Sequence, residues 1–269
     1  MSTRSSDAPD ATASIAALAA RLRAAGCVFA EEEAAILLEA ASDDPARLEH
    51  LVERRATGEP LEHLVGWVHF GSLRLSVGPG VFIPRQRTLR LARAAVRAAR
   101  EQQRPVVLEP FCGVAPLAAA VAESVPDAEI HVADIDPAAL EHARRNLPAG
   151  AGVHLSDGLA GIPSSLRGRV TLVAAVPPYI PSTERRLVPH EALEHEPEAA
   201  LFAGPDGLRN VGTLIDELGG WLAPEGVVLI ELNRRQYRAA AVLARRSGWT
   251  PRARRSSDGQ TVLLELRRA

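Results

Sequence analysis

The sequence predicts a doubly wound α/β domain that is preceded by a small helical domain and a β-hairpin linker. Three observations support this fold class. From Pro105 onward, short apolar segments of strand character alternate with segments of helical period, which is typical of right-handed crossovers and a mainly parallel sheet. Before that point, apolar residues first recur at helical spacing and then alternate about a Gly-Ser turn. A chain of 269 residues is long enough for one large and one small domain.

The small helical domain is predicted at residues 13–60, after a flexible tail at residues 1–12. Three segments with apolar residues at helical spacing follow one another in this region. The first segment reaches Gly26, which lies where a C-terminal cap is expected. The third segment follows Asp44, a possible N-cap, and stops by Gly58.

The linker is predicted at residues 61–84. The stretch LVGWVHFGSLRLSV, residues 64–77, alternates apolar and polar residues on both sides of a Gly-Ser turn, which indicates a β-hairpin. The following VGPGVFIPR is expected to form a rigid loop because it contains two prolines. A helix is then predicted from Thr88 to Arg100, at the start of a domain that covers residues 85–269.

The remaining elements of this domain follow in a regular order. The predicted strands are PVVLEP, EIHVAD, GVHLS, TLVAAV, GVVLIEL and TVLLELR, and the predicted helices between them cover residues 114–123, 137–147, 211–222 and 235–247. In sheets of this kind, ligands bind outside the carboxyl ends of the strands. The residues that directly follow each strand are therefore the candidates for a functional site.

Composition and charge argue against several functional classes. Hydrophobic residues make up 46% of the chain and charged residues 24%, as in ordinary globular proteins. A net charge of −2 gives no field that would recruit nucleic acid directly, and no apolar run reaches the roughly 18 residues of a membrane span. Cys27 and Cys112 form no Cys-x-x-Cys pair, so neither a disulfide framework nor a metal site is predicted. Since no signal peptide is recognisable, we expect a cytoplasmic protein.

The first predicted strand and the turn after it suggest a site for a cofactor that contains adenosine. The strand ends at Glu109 and the turn passes through Gly113; Asp134 follows about 20 residues later, the interval at which an acidic residue reaches ribose hydroxyls. The turn continues with Ala115 and Pro116, so it lacks the Gly-x-Gly-x-x-Gly pattern that lets the backbone approach a pyrophosphate. This pattern favours S-adenosylmethionine, which has no phosphates, over NAD.

Two aspartates after the next strands each have two interpretations. Either Asp134 or Asp136 can cap the helix that begins at Pro137; Asp136 is better placed for the cap, so Asp134 is expected to bind ribose. Asp157 follows the third strand. It can accept a hydrogen bond from an adenine amino group, or it can be a turn residue before Gly158.

The stretch VPPYIP ends the fourth predicted strand. Each proline lacks a backbone donor and fixes φ, so the carbonyls of Val176 and Pro177 are expected to point into the cleft as hydrogen-bond acceptors. Tyr179 offers a flat aromatic face that suits a substrate chain or a methyl sulfonium. The alternative interpretation is that the two prolines only end the strand.

Together these motifs resemble the glutamine N5-methyltransferases that modify peptide chain release factors. RRATGEPLEHLVGWVHFGSLRLSVGPGVFIPRQRT is similar to that family's linker hairpin and Phe-Ile-Pro-Arg loop, and VADIDPAALEHARRNL to its second strand and helix. VPPYIP occupies the position of its Asn-Pro-Pro-Tyr motif, and EHEPEAALFAGPDGL resembles the segment after it. The resemblance extends from about Arg54 to the C-terminus. It implies a Rossmann-like methyltransferase sheet, S-adenosylmethionine as cofactor and S-adenosylhomocysteine as product.

This sequence departs from the family pattern at two places. In the family, the asparagine side chain and the next backbone carbonyl accept hydrogen bonds from the substrate amide nitrogen, but here that asparagine is Val176. A bound glutamine amide would lose one of its two anchors, at a cost of roughly 1 to 3 kcal/mol, or about ten- to a hundredfold. The family's Asp-x-x-x-Gly-x-Gly turn is also altered, since Glu109 replaces the aspartate and Ala115 the second glycine.

An amine or guanidinium acceptor would be bound by carboxylates instead of by an asparagine. Glu196 and Glu231 occupy motif-like places, whereas Glu191 and Glu194 can also be explained as an exposed acidic face. The predicted site residues are, as catalytic, Val176, Pro177, Tyr179 and Glu196; as cofactor-binding, Arg85, Glu109, Phe111, Gly113, Asp134, Ile135 and Asp157; and as substrate-binding, Pro178, Glu191, Glu194 and Glu231.

Three functions are compatible with these observations. The leading hypothesis is an S-adenosylmethionine-dependent N-methyltransferase acting on a small amino-acid-like compound with an amine or guanidino side chain, such as arginine. The second is methylation of the release-factor glutamine. The third is a binding protein without catalysis, in which Ala115 and Pro116 close the cofactor pocket. The expected partners are thus a small nitrogen compound or a release factor, and a homodimer is left open.

Overall fold

The computed structural model describes residues 8–255 and 259–269 and divides into two compact units between Trp67 and Val68. Each unit has its own apolar core. The division falls inside the stretch 61–84, which the sequence predicts as a linker. The hairpin of that stretch therefore belongs largely to the second unit.

The first unit consists of helices. They are α1 (Ala8–Ala24), α2 (Ala30–Ala41), α3 (Pro45–Ala56) and α4 (Leu61–Val65). Asp44 caps α3 as predicted, because its carboxylate accepts the backbone N–H groups of Ala46 at 3.0 Å and Arg47 at 3.1 Å. Arg55 of α3 donates to Glu33 of α2 at 2.6 Å, which connects these two helices in addition to their apolar contacts.

This unit differs from the prediction at both ends. α1 starts inside the predicted tail, so residues 8–12 are helical; residues 1–7 lie outside the described part of the chain. Pro9 is compatible with this start because the first turn of a helix needs no backbone donor. At the other end, Leu64 belongs to α4 rather than to the hairpin, and Gly66 ends that helix in the left-handed conformation with φ of 83°.

The second unit contains a two-stranded hairpin and a seven-stranded sheet. The hairpin pairs β1 (Trp67–Phe70) with β2 (Leu73–Ser76), close to the predicted positions. The other strands are β3 (Val106–Pro110), β4 (Glu129–Asp134), β5 (Gly152–Leu155), β6 (Val170–Ala175), β7 (Leu222–Asn233), β8 (Trp249–Arg255) and β9 (Thr261–Arg268). The helices are α5 (Leu89–Arg100), α6 (Pro116–Ser124), α7 (Pro137–Asn146), α8 (His190–His195), α9 (Glu198–Leu201), α10 (Arg209–Glu217) and α11 (Tyr237–Arg246).

The large sheet confirms the predicted doubly wound α/β fold. Its strand order is β5-β4-β3-β6-β7-β9-β8; β3 to β7 pair in parallel, and β9 is antiparallel to β7 and β8. Successive residues of β6, such as Leu172 and Val173, contact different apolar clusters, because side chains alternate between the two faces of a strand. The sheet is thus covered on both faces, as parallel sheets require.

Four elements were not predicted or were placed differently. β8 is an edge strand with three arginines in seven residues, so it lacks the apolar run that identified the other strands. α8 and α9 are short and each follows a proline. The predicted helix at residues 211–222 is wrong at its end, since α10 stops at Glu217 and Leu222 already pairs with Val170 in the sheet. Two glycines, at positions 219 and 220, explain the early stop.

Candidate active site

A cavity of about 450 Å³ lies at the carboxyl ends of β3, β4 and β6, beside β7. This is the edge of the sheet at which ligands bind in doubly wound folds. Most of the predicted site residues line it: Arg85, Glu109, Phe111, Gly113, Asp134, Ile135, Val176, Pro177, Pro178, Tyr179 and Glu231. The structure therefore brings together residues from five separate stretches of the sequence.

Glu109 ends β3 and holds the first turn of α6. Its buried carboxylate accepts the backbone N–H groups of Leu117 at 3.3 Å and of Ala118 at 2.6 Å, which no residue inside the helix can satisfy. Burial, with a smaller contribution from the charge of Asp134, raises the pKa of Glu109 to about 8, although its two backbone hydrogen bonds act in the opposite direction. The contacts of Glu109 thus fix the helix that borders the cavity, and a direct contact with the cofactor stays a prediction.

The turn between β3 and α6 has an unusual backbone. Phe111, Gly113 and Ala115 all have positive φ, at 55°, 52° and 62°. A left-handed residue other than glycine costs about 1–2 kcal/mol, so Ala115 adopts the conformation of a glycine at some expense. Pro116 occupies the first position of α6, where no backbone donor is needed, and it lines the cavity without filling it. Ala115 and Pro116 therefore do not close the pocket. The hypothesis of a non-catalytic binding protein requires a closed pocket, so this observation argues against it.

Asp134 ends β4, and two backbone amides fix its carboxylate. Oδ2 accepts the N–H of Gly113 at 2.7 Å, and Oδ1 accepts the N–H of Asp136 at 3.0 Å. Burial raises the pKa of Asp134, while these two hydrogen bonds work in the opposite direction. Asp136 caps α7 through the N–H of Ala138 at 2.8 Å, as predicted, and the ribose contact of Asp134 stays a prediction. Each carboxylate oxygen of Asp134 can still accept a hydrogen bond from a hydroxyl group.

Val176 and Glu231 extend from neighbouring parallel strands on one face of the sheet. The register pairs Ala175 of β6 with Ile230 of β7, so the next residue along each strand is Val176 or Glu231. The residues two positions before them contact the same apolar cluster, which places both side chains on that face. Val176 itself packs against this cluster. A side chain without any acceptor therefore lies beside a buried carboxylate.

Hydroxyl groups surround the carboxylate of Glu231. Thr88 and Tyr179 donate to its Oε1 atom at 3.2 Å and 3.4 Å, and Nε of Arg87 lies 3.8 Å from the same oxygen. Burial raises the pKa of Tyr179 to about 12, and the charge of Glu231 adds to this shift. Tyr179 is therefore a neutral donor near neutral pH. The geometry gives it a polar contact in addition to the flat face that the sequence predicts.

Gln236 holds the backbone of the VPPYIP stretch. Its Nε2 donates to the carbonyls of Tyr179 at 2.7 Å and Asp206 at 3.0 Å, while its Oε1 accepts the N–H of Asn233 at 3.2 Å. A Cβ atom at Gly207 would collide with the same carbonyl of Tyr179, so a glycine is required there. Gln236 is absent from the predicted site residues, although an Asn three residues before a Gln is the pattern of a capping box.

Glu196 does not line the cavity, although the sequence predicts it as catalytic. Its buried carboxylate accepts hydrogen bonds from Nη2 of Arg85, at 2.7 Å and 2.5 Å, and from the backbone N–H of Ile83. The guanidinium of Arg85 also lies over the ring of Phe82, 4.8 Å from its centre. Burial raises the pKa of Glu196, and the charge of Arg85 partly offsets this. The pair joins the loop before α5 to the segment that follows α8, so Glu196 supports a wall of the site.

Three other predicted residues lie apart from the cavity lining. Asp157 is exposed after β5 and does not line the cavity. Glu194 is exposed and lies 3.1 Å from His190 one turn earlier in α8, as an acidic surface residue would. Glu191 is half-buried in the same helix and is absent from the lining. The alternative interpretation as an exposed acidic face therefore fits Glu194 but not the half-buried Glu191.

Arg87 and Thr88 line the cavity but were not predicted to do so. Both belong to the short turn before α5, in a stretch where the sequence shows only the start of a helix. Their place in the site depends on contacts with Glu231, which lies more than 140 residues away in sequence. No local pattern could have indicated this.

Within the described part of the chain, no helix is long and apolar enough to cross a membrane.

Comparisons with known proteins agree with this geometry, although no family model matches the chain. The chain is 35% identical over 230 residues to a release factor glutamine methyltransferase from Deinococcus radiodurans, which covers 84% of this chain and 81% of that protein. Several other bacterial relatives carry the same name. It is also 34% identical over 230 residues to the 4-amino-L-phenylalanine/4-methylamino-L-phenylalanine methyltransferase of Streptomyces pristinaespiralis, with 83% and 78% of the two chains covered.

The fold has relatives among solved structures as well. A methyltransferase from Pyrococcus furiosus superposes with a TM-score of 0.51 at 16% identity, over 82% of this chain and 97% of that one. At such identity the similarity concerns the fold alone. The matched sequences, the methyltransferase sheet and the cavity at its carboxyl edge agree on one conclusion. The chain is an S-adenosylmethionine-dependent N-methyltransferase and belongs to the family of the release factor glutamine methyltransferases.

Proposed function

We propose that this enzyme methylates a nitrogen of a small amino-acid-like compound with an amine or guanidino side chain. The observation that carries this proposal is the pair of neighbouring side chains Val176 and Glu231. In the family pattern, an asparagine at position 176 helps to hold a carboxamide nitrogen, and valine has no atom that can do so. The carboxylate of Glu231 lies on the next strand and suits a nitrogen that carries several N–H groups or a positive charge.

S-adenosylmethionine, when bound, supplies a methyl group that is already activated on a sulfonium. The task that remains for the protein is to hold the acceptor nitrogen in line with that methyl and to exclude water. Glu231 would orient the nitrogen through its N–H groups, and Tyr179 and Thr88 would keep the carboxylate in place. Pro177 and Pro178 would form the apolar wall beside the nitrogen, since both line the cavity.

The residues near β3 and β4 fit the cofactor. We propose that Asp134 binds the ribose hydroxyls, because its carboxylate is already oriented by Gly113 and Asp136. Phe111 and Ile135 would flank the adenosine, since both line the cavity close to Asp134 in sequence. An adenine contact for Asp157 would need an adenine that reaches its exposed side chain beyond the cavity lining.

Methylation of a release-factor glutamine is the second candidate. The similarity to the Deinococcus radiodurans protein and to others of that name favours it more than it favours a small acceptor. The Streptomyces pristinaespiralis relative, whose name states an amino-acid amine as substrate, favours the first candidate at nearly equal identity and coverage. Similarity alone thus supports the release-factor glutamine better, and Val176 is the feature that favours a small acceptor.

The test is a methyl-transfer assay with labelled S-adenosylmethionine. Wild-type protein is incubated separately with L-arginine, L-lysine, 4-amino-L-phenylalanine and a bacterial release factor, and products are identified by mass spectrometry. We expect a methylated amine or guanidine and an unmodified release factor. Methyl groups on the release-factor glutamine, with none on any free amino acid, would reject the proposal in favour of the second candidate.

A pair of variants tests the role of position 176 itself. Val176→Asn restores a side-chain acceptor. We expect it to raise the rate of methyl transfer to the release-factor glutamine by about ten- to a hundredfold, which corresponds to the free energy of one such hydrogen bond. Val176→Ala is the matched control, because it changes the volume without adding an acceptor. Equal rates for the two variants would show that position 176 does not select the acceptor.

A further inference from the structure

Arg87 is a cation at the cavity that neither the fold nor the cofactor accounts for. It lies in the turn Gln86–Thr88 before α5 and lines the cavity, and 48% of its side chain is exposed. A guanidinium has five N–H donors in a planar fork that matches a carboxylate. Most of these donors therefore remain accessible to a ligand.

The contacts of Arg87 differ from those of Arg85, two residues earlier. Arg85 is bound by the buried carboxylate of Glu196 at 2.5 Å and 2.7 Å and packs over Phe82. Arg87 has its carboxylate contact at 3.8 Å, to Oε1 of Glu231, which is longer than a hydrogen bond. That oxygen already accepts hydrogen bonds from the hydroxyls of Thr88 and Tyr179. Glu231 thus attracts Arg87 electrostatically without using its donor fork.

The position of Arg87 places it on the side of the cavity assigned to the acceptor. Its neighbours are Glu231 on β7 and the hydroxyl of Tyr179, to which it donates one hydrogen bond; the charge of Arg87 and this hydrogen bond lower the pKa of Tyr179 against the effect of burial. Asp134, the proposed ribose ligand, ends β4, and the sheet order places β3 and β6 between β4 and β7. Three strand spacings separate β4 from β7, or about 14 Å.

We infer that Arg87 binds a carboxylate of the methyl acceptor, so that the acceptor is a free amino acid rather than a plain amine or a protein side chain. This inference rests on the proposed function and makes it more specific. Arg87 offers a positive group to the carboxylate of the acceptor, and Glu231 offers a negative group to the side-chain nitrogen that receives the methyl, so the two complement an amino acid with an amine or guanidino side chain. A glutamine side chain within a protein has neither charge.

The experiment measures binding to protein saturated with S-adenosylhomocysteine, so that no turnover occurs. L-arginine, L-lysine and 4-amino-L-phenylalanine are each titrated by calorimetry beside the matching carboxamide, which has the same size but no carboxylate. For at least one pair, we expect the amino acid to bind about tenfold or more tightly than its amide. Arg87→Met should remove this difference, and Arg87→Lys should keep part of it because it retains the charge.

Arg93→Met is the matched control, since Arg93 is an exposed arginine of α5 outside the cavity lining. It should leave every affinity unchanged. Equal affinity for acid and amide, or no binding of any of these compounds, would overturn the inference. So would an Arg87→Met variant that binds S-adenosylmethionine more weakly but 5′-methylthioadenosine normally, because the carboxylate would then be that of the cofactor.

Methyl transfer is measured separately on the same compounds. Product formed equally well from acid and amide would sustain the proposed function and reject the role of Arg87. Acid-selective binding that depends on Arg87, without any methylated product, would reject the proposed function and leave the carboxylate site standing. The two ideas therefore fail in different ways.

Discussion

Replacing Asp134 tests whether the carboxyl end of β4 binds the ribose of the cofactor. The carboxylate accepts the N–H of Gly113 at 2.7 Å and that of Asp136 at 3.0 Å. Asp134→Asn is preferable to Asp134→Ala, because alanine would leave both backbone amides without their acceptor. Asparagine keeps one acceptor oxygen and nearly the same shape, while it removes the charge and turns an amide group toward one of the two N–H donors.

The expected magnitude follows from the hydrogen bonds that are lost. A hydrogen bond to a charged group contributes about 1.5–3 kcal/mol, so two ribose hydroxyls on the carboxylate would contribute about 3–6 kcal/mol. Asparagine can still accept a hydrogen bond from one of the two hydroxyls. For Asp134→Asn we therefore expect a loss of binding free energy at the lower end of this range, which corresponds to a loss of about a hundredfold or more in cofactor affinity. One backbone N–H without a partner should also lower the free energy of unfolding by about 1–3 kcal/mol.

Calorimetric titration with S-adenosylmethionine and 5′-methylthioadenosine measures this loss, and a thermal melt checks that the variant is folded. Both ligands contain the ribose, so both should bind more weakly. Asp136→Asn is the matched control, because it removes a charge at the same edge of the cavity while asparagine remains a good cap for α7. A folded Asp134→Asn variant with affinity within about twofold of wild type would refute the ribose assignment.

Three further predictions concern the elements that hold the site. Burial raises the pKa of Glu109 from its ordinary value of 4.5 to about 8, so the unfolded chain loses this proton first. The stabilisation is present below pH 4.5 and is lost as the pH rises to about 8; Glu109→Gln should flatten that decline in a series of denaturant melts. Gln236→Leu removes three hydrogen bonds around Tyr179, and we expect kcat to fall at least about tenfold with cofactor Kd unchanged; a parallel loss of cofactor affinity would contradict a role confined to the VPPYIP stretch. Ala115→Gly should raise the free energy of unfolding by up to about 1 kcal/mol, because glycine adopts a φ of 62° without strain; a lower stability in the same melts would argue against strain at this turn.

The sequence predicts the parts of this fold that depend on local patterns. The strands of the parallel sheet, the hairpin and the caps at Asp44 and Asp136 all follow from periodicity or from a capping residue next to its helix. The same holds for the cavity, because the carboxyl ends of parallel strands meet at one edge whatever the side chains are. β8 escaped prediction because its many arginines hide the alternation of an edge strand.

The site residues that could not be predicted depend on contacts between distant segments. Glu196 looked like a catalytic residue from its motif, yet its carboxylate is bound by Arg85, 111 positions earlier. Gln236 reaches back 57 positions to the carbonyl of Tyr179. A motif indicates which residues are near the chemistry, but the hydrogen-bond partners decide which of them contact the ligand and which hold a wall in place.

The two departures from the family pattern have different consequences, and the difference bears on function. At Ala115 the backbone keeps the left-handed conformation although the side chain opposes it, since Glu109 holds the helix on one side and Asp134 holds Gly113 on the other. The turn is therefore held in a defined conformation at the edge of the cavity. At Val176 the side chain has no acceptor, and the register places the carboxylate of Glu231 beside it on the neighbouring strand. A protein that retains the geometry of the cofactor site while changing the chemistry of the acceptor site is expected to transfer the same methyl group to a different nitrogen.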